Sequence, residues 1–223
     1  MITRHGAADR LARHRHAGAY VAVVLAGSYV EAGASGRVRA RAGTVIAHKA
    51  LSAHRDDFGA AGALVLNVPG AAGLIGAGTV ADVDAVARAG ERDLDEAARL
   101  VAEQFLPGAD SPDDWPDLLA AALTRDPDIA ITGWADGMGL NPASVSRGFA
   151  RAYGVTPKRF RLEARARRAV YALPHWRGSL AAFAAEQGFA DQAHLAHALR
   201  GLTGATPRTL RAKSVQAGMC RHG

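Results

Sequence analysis

At 223 residues the chain is longer than a typical domain of about 100 to 200, so it reads as two modest domains. Hydrophobic residues make up 49% and charged residues 22%, a balance that excludes wholesale disorder. The net charge of +6 is uneven: residues 1–117 hold 12 Lys and Arg against 15 Asp and Glu, net −3, whereas residues 118–223 hold 15 against 6, net +9. A basic surplus of this kind suits a polyanion, either nucleic acid or an anionic membrane, because Lys and Arg release counterions from a charged surface.

The N-terminus, with Arg4, Asp9, Arg10, His14 and His16, lacks the apolar core of a signal peptide. No uninterrupted apolar run approaches the roughly 18 residues of a membrane span, so the chain is expected in the cytoplasm. From His14 to Val68 the pattern is short and β-like, with runs at Tyr20 to Ala26, Arg37 to Arg41, Thr44 to Ala47 and Ala63 to Val68 separated by glycines. Five or six strands in a small antiparallel sheet or barrel follow from that spacing. Residues 69–78 read as a glycine-rich connector. Val80, Val83, Val86 and Ala87, then Leu94, Ala97, Ala98, Val101 and Phe105, recur at helical spacing, an amphipathic pair with either a dimer seam or the barrel as its partner. Pro107 to Pro116 is a second connector, and it divides the acidic part from the basic one.

The basic part is written twice. A shift of 50 positions lays Asn141 on Asp191, Ala143 on Ala193, Val145 on Leu195, Phe149 on Leu199, Gly154 on Gly204, Thr156 on Thr206, Pro157 on Pro207, Phe160 on Leu210 and Arg161 on Arg211. With one residue of slack, Trp134, Ala135 and Gly139 fall on Phe183, Ala184 and Gly188. Each copy predicts a first helix (Ile131 to Met138; Leu180 to Gln187), a glycine turn, and a second helix capped by Asn141 or Asp191. Val145 with Phe149, and Leu195 with Leu199, lie four apart and face inward, which turns Ser146, Arg147 and Arg151, or His194, His197 and Arg200, outward. A helix opened by Pro157 and continued through Arg159 to Leu173 joins the copies as a stiff spacer. Gly133 and Gly137 weaken the first helix of the first copy by about 1 kcal/mol each against Ala.

These marks resemble the DNA-binding domain of the AraC/XylS family of transcription regulators over roughly Pro116 to Lys213. They are Ala184, Gly188, Phe189, Gln192 and Leu195 with Gly204 to Arg211 in the second copy, and Ser146 to Phe149 with Gly154 to Arg161 in the first. The resemblance implies base contacts from Ala143, Ser146 and Arg147, and from Gln192, Ala193, His194 and His197. Arg147 is the natural guanine reader and Gln192 suits adenine. Position 197 is often Arg in the family and position 199 usually Phe; here they are His and Leu, which implies weaker binding by the second helix. Both readers would enter successive major-groove segments of double-stranded DNA, with RNA polymerase as a further partner of an activator.

The spacing of His14, His16, Tyr20 and Gly27 resembles the first cupin motif with Tyr in place of its Glu, and Gly43 to His54 resembles the second without its Pro, second Gly and Asn. A shortened cupin-type sensor for a small-molecule effector is the implied role. His14, His16 and His54, with Tyr20 near them, would form a divalent metal site; the same histidines suit an organic effector or a structural role equally. Arg37, Arg39 and Arg41 share one strand face, to be read as an anion contact or as a solvated surface.

The expected fold class is α+β: a cupin-like antiparallel barrel over 1–78, linker helices with a possible dimer contact over 79–117, tandem helix-turn-helix units over 118–213, and a flexible tail over 214–223. Cys220, the one cysteine, excludes a disulfide framework within the chain and is read as an incidental exposed thiol. The alternative function is a metal-dependent cupin enzyme or metal sensor using His14, His16 and His54. Against the enzyme stand the missing carboxylate and the lack of any Ser/His/Asp, Cys/His or phosphate-cradling constellation. Against a membrane role, each copy commits its apolar residues to an internal core, so no continuous apolar face remains for a lipid surface.

Overall fold

The computed structural model describes residues 1–34, 36–70, 73–108 and 114–212; Cys220 and the tail expected at 214–223 lie outside them. Among the described residues eight strands form one antiparallel sheet: Ile2–His5 (β1), Arg10–Arg15 (β2), Tyr20–Gly33 (β3), Gly36–Arg41 (β4), Thr44–His48 (β5), Ala53–Pro69 (β6), Gly76–Thr79 (β7) and Leu106–Pro107 (β8). The strand path is β1-β6-β3-β5-β7-β8, with β2 paired to β6 and β4 to β3. β3 and β6 are the spine, paired from Tyr20 against Pro69 to Ala32 against Arg55.

Strands this long must bend, and the bend falls where residues 59–62 of β6 stand opposite Ser28. Gly27 and Gly62 sit at φ +75° and +67° there. A Cβ on Gly27 would run into the Gly62 carbonyl, and one on Gly62 into the His5 carbonyl. Both the left-handed backbone and the close approach therefore require glycine.

Two-residue alternation divides the sheet's side chains between two cores. Val21, Val23, Val45, Leu66 and Val68 meet Val86, Ala89, Ala97 and Val101 on one face, while Ala22, Val24, Ile46 and Val65 join Tyr29, Val38 and Phe58 on the other. The first core is closed by helices Val83–Arg92 (α1) and Leu94–Gln104 (α2), N-capped by Asp82 and Asp93, whose carboxylates accept from Ala85 N and Asp95 N at 2.8 Å. Each valine so buried stabilises the fold by about 1.5 to 3 kcal/mol relative to exposure. The apolar stripe of the α1–α2 pair is thus engaged by the sheet.

Among the described residues six further α-helices follow: Trp115–Arg125 (α3), Ile131–Gly137 (α4), Pro142–Tyr153 (α5), Pro157–Ala172 (α6), Leu180–Glu186 (α7) and Gln192–Thr203 (α8), with a 3-10 turn at Leu173–His175 after α6 and helix resuming at Pro207. The chain divides into two compact units, Met1–Ala121 with Val145–Val155, and Ala122–Ser144 with the residues from Thr156 onward. Compactness therefore does not divide at residue 117, as the connector composition suggests. The start of α3 and most of α5 belong with the sheet, because Asp117, only 4% exposed, accepts from Arg37 Nε and Nη2 at 2.9 and 3.0 Å and from the Tyr153 hydroxyl at 2.6 Å. Arg55 Nη1 also donates to the Arg151 carbonyl at 2.9 Å. In the second unit, Leu195 and Leu199 of α8 are fully buried, as is Ala184 of α7. Arg165 pairs with Asp128 and lies 5.9 Å above the Phe189 ring.

Candidate nucleic-acid interface and ligand pocket

Both copies of the repeat build the same local structure. α4 ends before Gly139 (φ +65°) and α7 before Gly188 (φ +74°), after which Asn141 Oδ1 accepts from Ala143 N at 2.9 Å and Asp191 Oδ1 from His194 N at 2.7 Å. Those caps start α5 and α8 at equivalent residues. Gly154 and Gly204 follow at φ +71° and +75°, and Thr156 and Thr206 then accept from Arg159 N and Thr209 N at 3.3 and 3.2 Å to open the next helix. α6 is one continuous helix of 16 residues, about 24 Å at 1.5 Å per residue.

The residues expected to read DNA divide by phase. Val145, Phe149 and Tyr153 of α5 are buried, and Ala143, Ser146, Arg147 and Arg151 are exposed. On α8, Leu195, Ala198 and Leu199 are buried, and Gln192, Ala193, His197 and Arg200 are exposed. His194 is half-buried: its Nδ1 accepts from Ala190 N at 3.4 Å and its ring meets Phe189 edge-on at 5.3 Å. Acceptance at Nδ1 assigns the proton to Nε2, so the free side of this ring is a donor. Lys158 and Arg208, 50 positions apart, are exposed in the first turn of the helix that follows each copy. Sequence reasoning overlooked these two, although the same repeat pairs them.

The N-terminal pocket is built from cross-strand pairs. Tyr20 of β3 faces His48 of β5, His14 of β2 faces His54 of β6, and Glu31 of β3 faces Asp56 of β6. Directly opposed side chains project to the same face, so three pairs bring six functional groups to one place. His16, two residues beyond His14, joins them. The result is a cavity of about 240 Å³ also lined by Met1, Thr3, Tyr29 and Phe58. Ring centroids are 4.3 Å apart for His14 and His54, 5.1 Å for His14 and His16, 5.5 Å for His16 and His54, and 4.6 Å for His48 and His54. Tyr20 stacks on His48 at 4.3 Å, and its hydroxyl lies 3.5 Å from His54 Nε2.

Burial controls the protonation of these groups. It pulls His48 down to about 3 and His54 to about 2, with the neighbouring histidines adding to the effect, so both imidazoles are neutral at pH 7. Burial first, and then Asp57, pushes Asp56 up to about 7; burial and Asp56 push Glu31 well above the carboxylate range. Glu31 Oε2 lies 3.5 Å from His48 Nε2.

The structure therefore brings the sequence-derived set His14, His16, Tyr20 and His54 together and adds His48, Glu31 and Asp56. Their signal is a charged or ionisable side chain in phase with an apolar strand face: His48 follows Ile46, and Glu31 follows Tyr29. Arg37, of the alternating arginines, is committed to Asp117, and Arg39 and Arg41 line a groove of about 610 Å³ with Thr44 and Asp57.

A family model described as a helix-turn-helix domain matches residues 134–213. No curated protein matches the chain's sequence. Among solved structures, the C-terminal domain of AraT, a response regulator from Geobacillus stearothermophilus, is 16% identical over 48% of this chain and 88% of its own, with a TM-score of 0.41. A transcriptional regulator with an AraC-type DNA-binding domain from Chromobacterium violaceum is 23% identical over 44% and 89%, at 0.40. ToxT from Vibrio cholerae O395 is 8% identical over 94% and 95%, also at 0.40. The family-model match spans 80 of the chain's 223 residues. No helix among the described residues is long and apolar enough to cross a membrane.

Proposed function

We propose that this chain, whose residues 134–213 match a helix-turn-helix domain, is a transcription regulator of the AraC type, in which α5 and α8 each read one major-groove segment and the N-terminal pocket controls them. The observation that supports this most is the doubled unit, in which an N-capped helix buries its apolar residues and leaves polar and basic ones exposed. Arg147 donates twice to guanine O6 and N7, Ser146 and Ala143 flank it, and Gln192, Ala193, His194 and His197 form the second reading edge, with Arg151 beside the first. Lys158 and Arg208 supply phosphate contacts at helix N-termini, where free backbone N–H groups favour an anion.

Control from the pocket has a short route. His54 lines the cavity, and the next residue, Arg55, holds the Arg151 carbonyl at the end of α5. An effector that favours one position of β6 biases the first recognition helix through that bond and through Asp117.

Titrating the full-length chain against a duplex selected from random sequence tests the DNA reading. Its affinity is expected to fall by about 10³ to 10⁵ between 50 and 200 mM salt if 6 to 10 phosphates are neutralised. An affinity that does not depend on salt, or no preference for the selected duplex over random DNA, contradicts it.

A further inference from the structure

Each of the two most deeply buried imidazoles of the pocket has one ring nitrogen that makes no hydrogen bond among the described residues, although the Glu31 carboxyl lies 3.5 Å from His48 Nε2. The side chains of His48 and His54 are each 5% exposed and that of Glu31 is 7% exposed. His48 Nε2, His54 Nδ1 and Asp56 Oδ1 have no hydrogen-bond partner among the described residues. A buried polar atom left unmatched costs roughly 1 to 3 kcal/mol, and here three lie in one cavity of about 240 Å³. One ligand atom from each of Glu31, His48 and His54 fall within 4.8 Å of one another, and the same holds for His14, His16 and His54. Near the mouth, His14 Nδ1 donates to the Ala12 carbonyl at 2.9 Å, which leaves Nε2 as the ring nitrogen available to a ligand.

We propose that this cavity is a binding site for a divalent first-row transition-metal ion, held by Glu31, His48 and His54, with His14 and His16 at its entrance. Glu31 and His48 lie outside the His-x-His spacing that marks the pocket in the sequence. The donor chemistry selects the class. Neutral imidazoles bind zinc, nickel, cobalt or iron and are poor ligands for calcium or magnesium, which take oxygen. A cation would also compensate two carboxyl groups buried beside each other, Glu31 opposite Asp56. Tyr20, stacked on His48, keeps that ring in one orientation. This inference rests on the reading of the pocket as a control site, for which it names the effector, but the site itself stands apart from DNA binding.

The test begins with the full-length protein stripped by a chelator and titrated with Co²⁺, whose visible absorption reports the ligand field, and with Zn²⁺ by calorimetry. One equivalent is expected, displaced from Co²⁺ to Zn²⁺. Glu31→Gln and His48→Gln, which keep size and polarity, are expected to weaken binding at least about tenfold while the circular dichroism spectrum stays that of the wild type. Absence of stoichiometric binding by the folded wild type overturns the site. So does a result in which both variants bind as tightly as wild type while His16→Ala loses the ion, since the metal would then belong to the entrance set. DNA affinity is measured with and without Zn²⁺ in parallel: a bound ion that leaves DNA affinity unchanged supports the metal site and overturns the control reading.

Discussion

Replacing Asp117 by Ala is expected to cost about 3 kcal/mol of stability, the low end of the range for one partner removed from a buried ion pair because Arg37 remains 29% exposed. Asp117 accepts from both Arg37 and Tyr153, and its removal leaves the guanidinium facing Asp114 at 3.6 Å. Urea denaturation of the variant measures the loss. The triple change Asp117→Ala, Arg37→Met and Tyr153→Phe is expected to recover much of it, since matched apolar groups require no partner. A loss below about 1 kcal/mol for Asp117→Ala would mean that the pair behaves like a surface salt bridge. Because Tyr153 closes α5, the same variant is also expected to weaken DNA binding more than Arg200→Ala, an exposed change on α8.

Arg147→Ala is expected to weaken binding to the selected duplex by about 1 to 3 kcal/mol, roughly 5- to 150-fold, and to relax the preference at one base pair. Arg147 is exposed on α5 two residues after buried Val145, so the truncation leaves the core intact and the melting temperature should stay near that of the wild type. Competition with a panel of single-base variants of the duplex distinguishes base reading from phosphate contact. A loss that is uniform over the panel would make Arg147 a phosphate contact, the behaviour expected instead of Lys158→Ala.

The C-terminal architecture is legible in the sequence because its signals are local. Asn141 and Asp191 cap helices three or fewer residues away, Gly139 and Gly188 turn the chain at one position each, and a shift of 50 exposes both copies at once. The sheet is legible where alternation is strong, as in Tyr20 to Ala26, and hidden where it is not. β1 (ITRH) and β2 (RLARHR) carry too few apolar residues to show a buried face, and they are strands because β6 offers them an edge. β7 (GAGT) has almost no side chains to read, so the connector composition of 69–78 masks a strand that pairs with β5. The attachment of α5 to the sheet depends on Arg37 and Asp117, 80 residues apart, and no local pattern encodes it. The pocket lies between these cases. The His14 and His16 spacing is visible, whereas Glu31 and His48 are recruited only by strand register, a long-range property.

Hydroxyl-radical footprinting of the full-length protein on its selected duplex, repeated with Arg147→Ala and with Gln192→Ala, addresses the two-reader account most directly. Two protected major-groove segments about one helical turn, 10 to 10.5 base pairs, apart are expected, with Arg147→Ala loosening one and Gln192→Ala the other. A single protected segment, or two segments that both variants weaken alike, would contradict it.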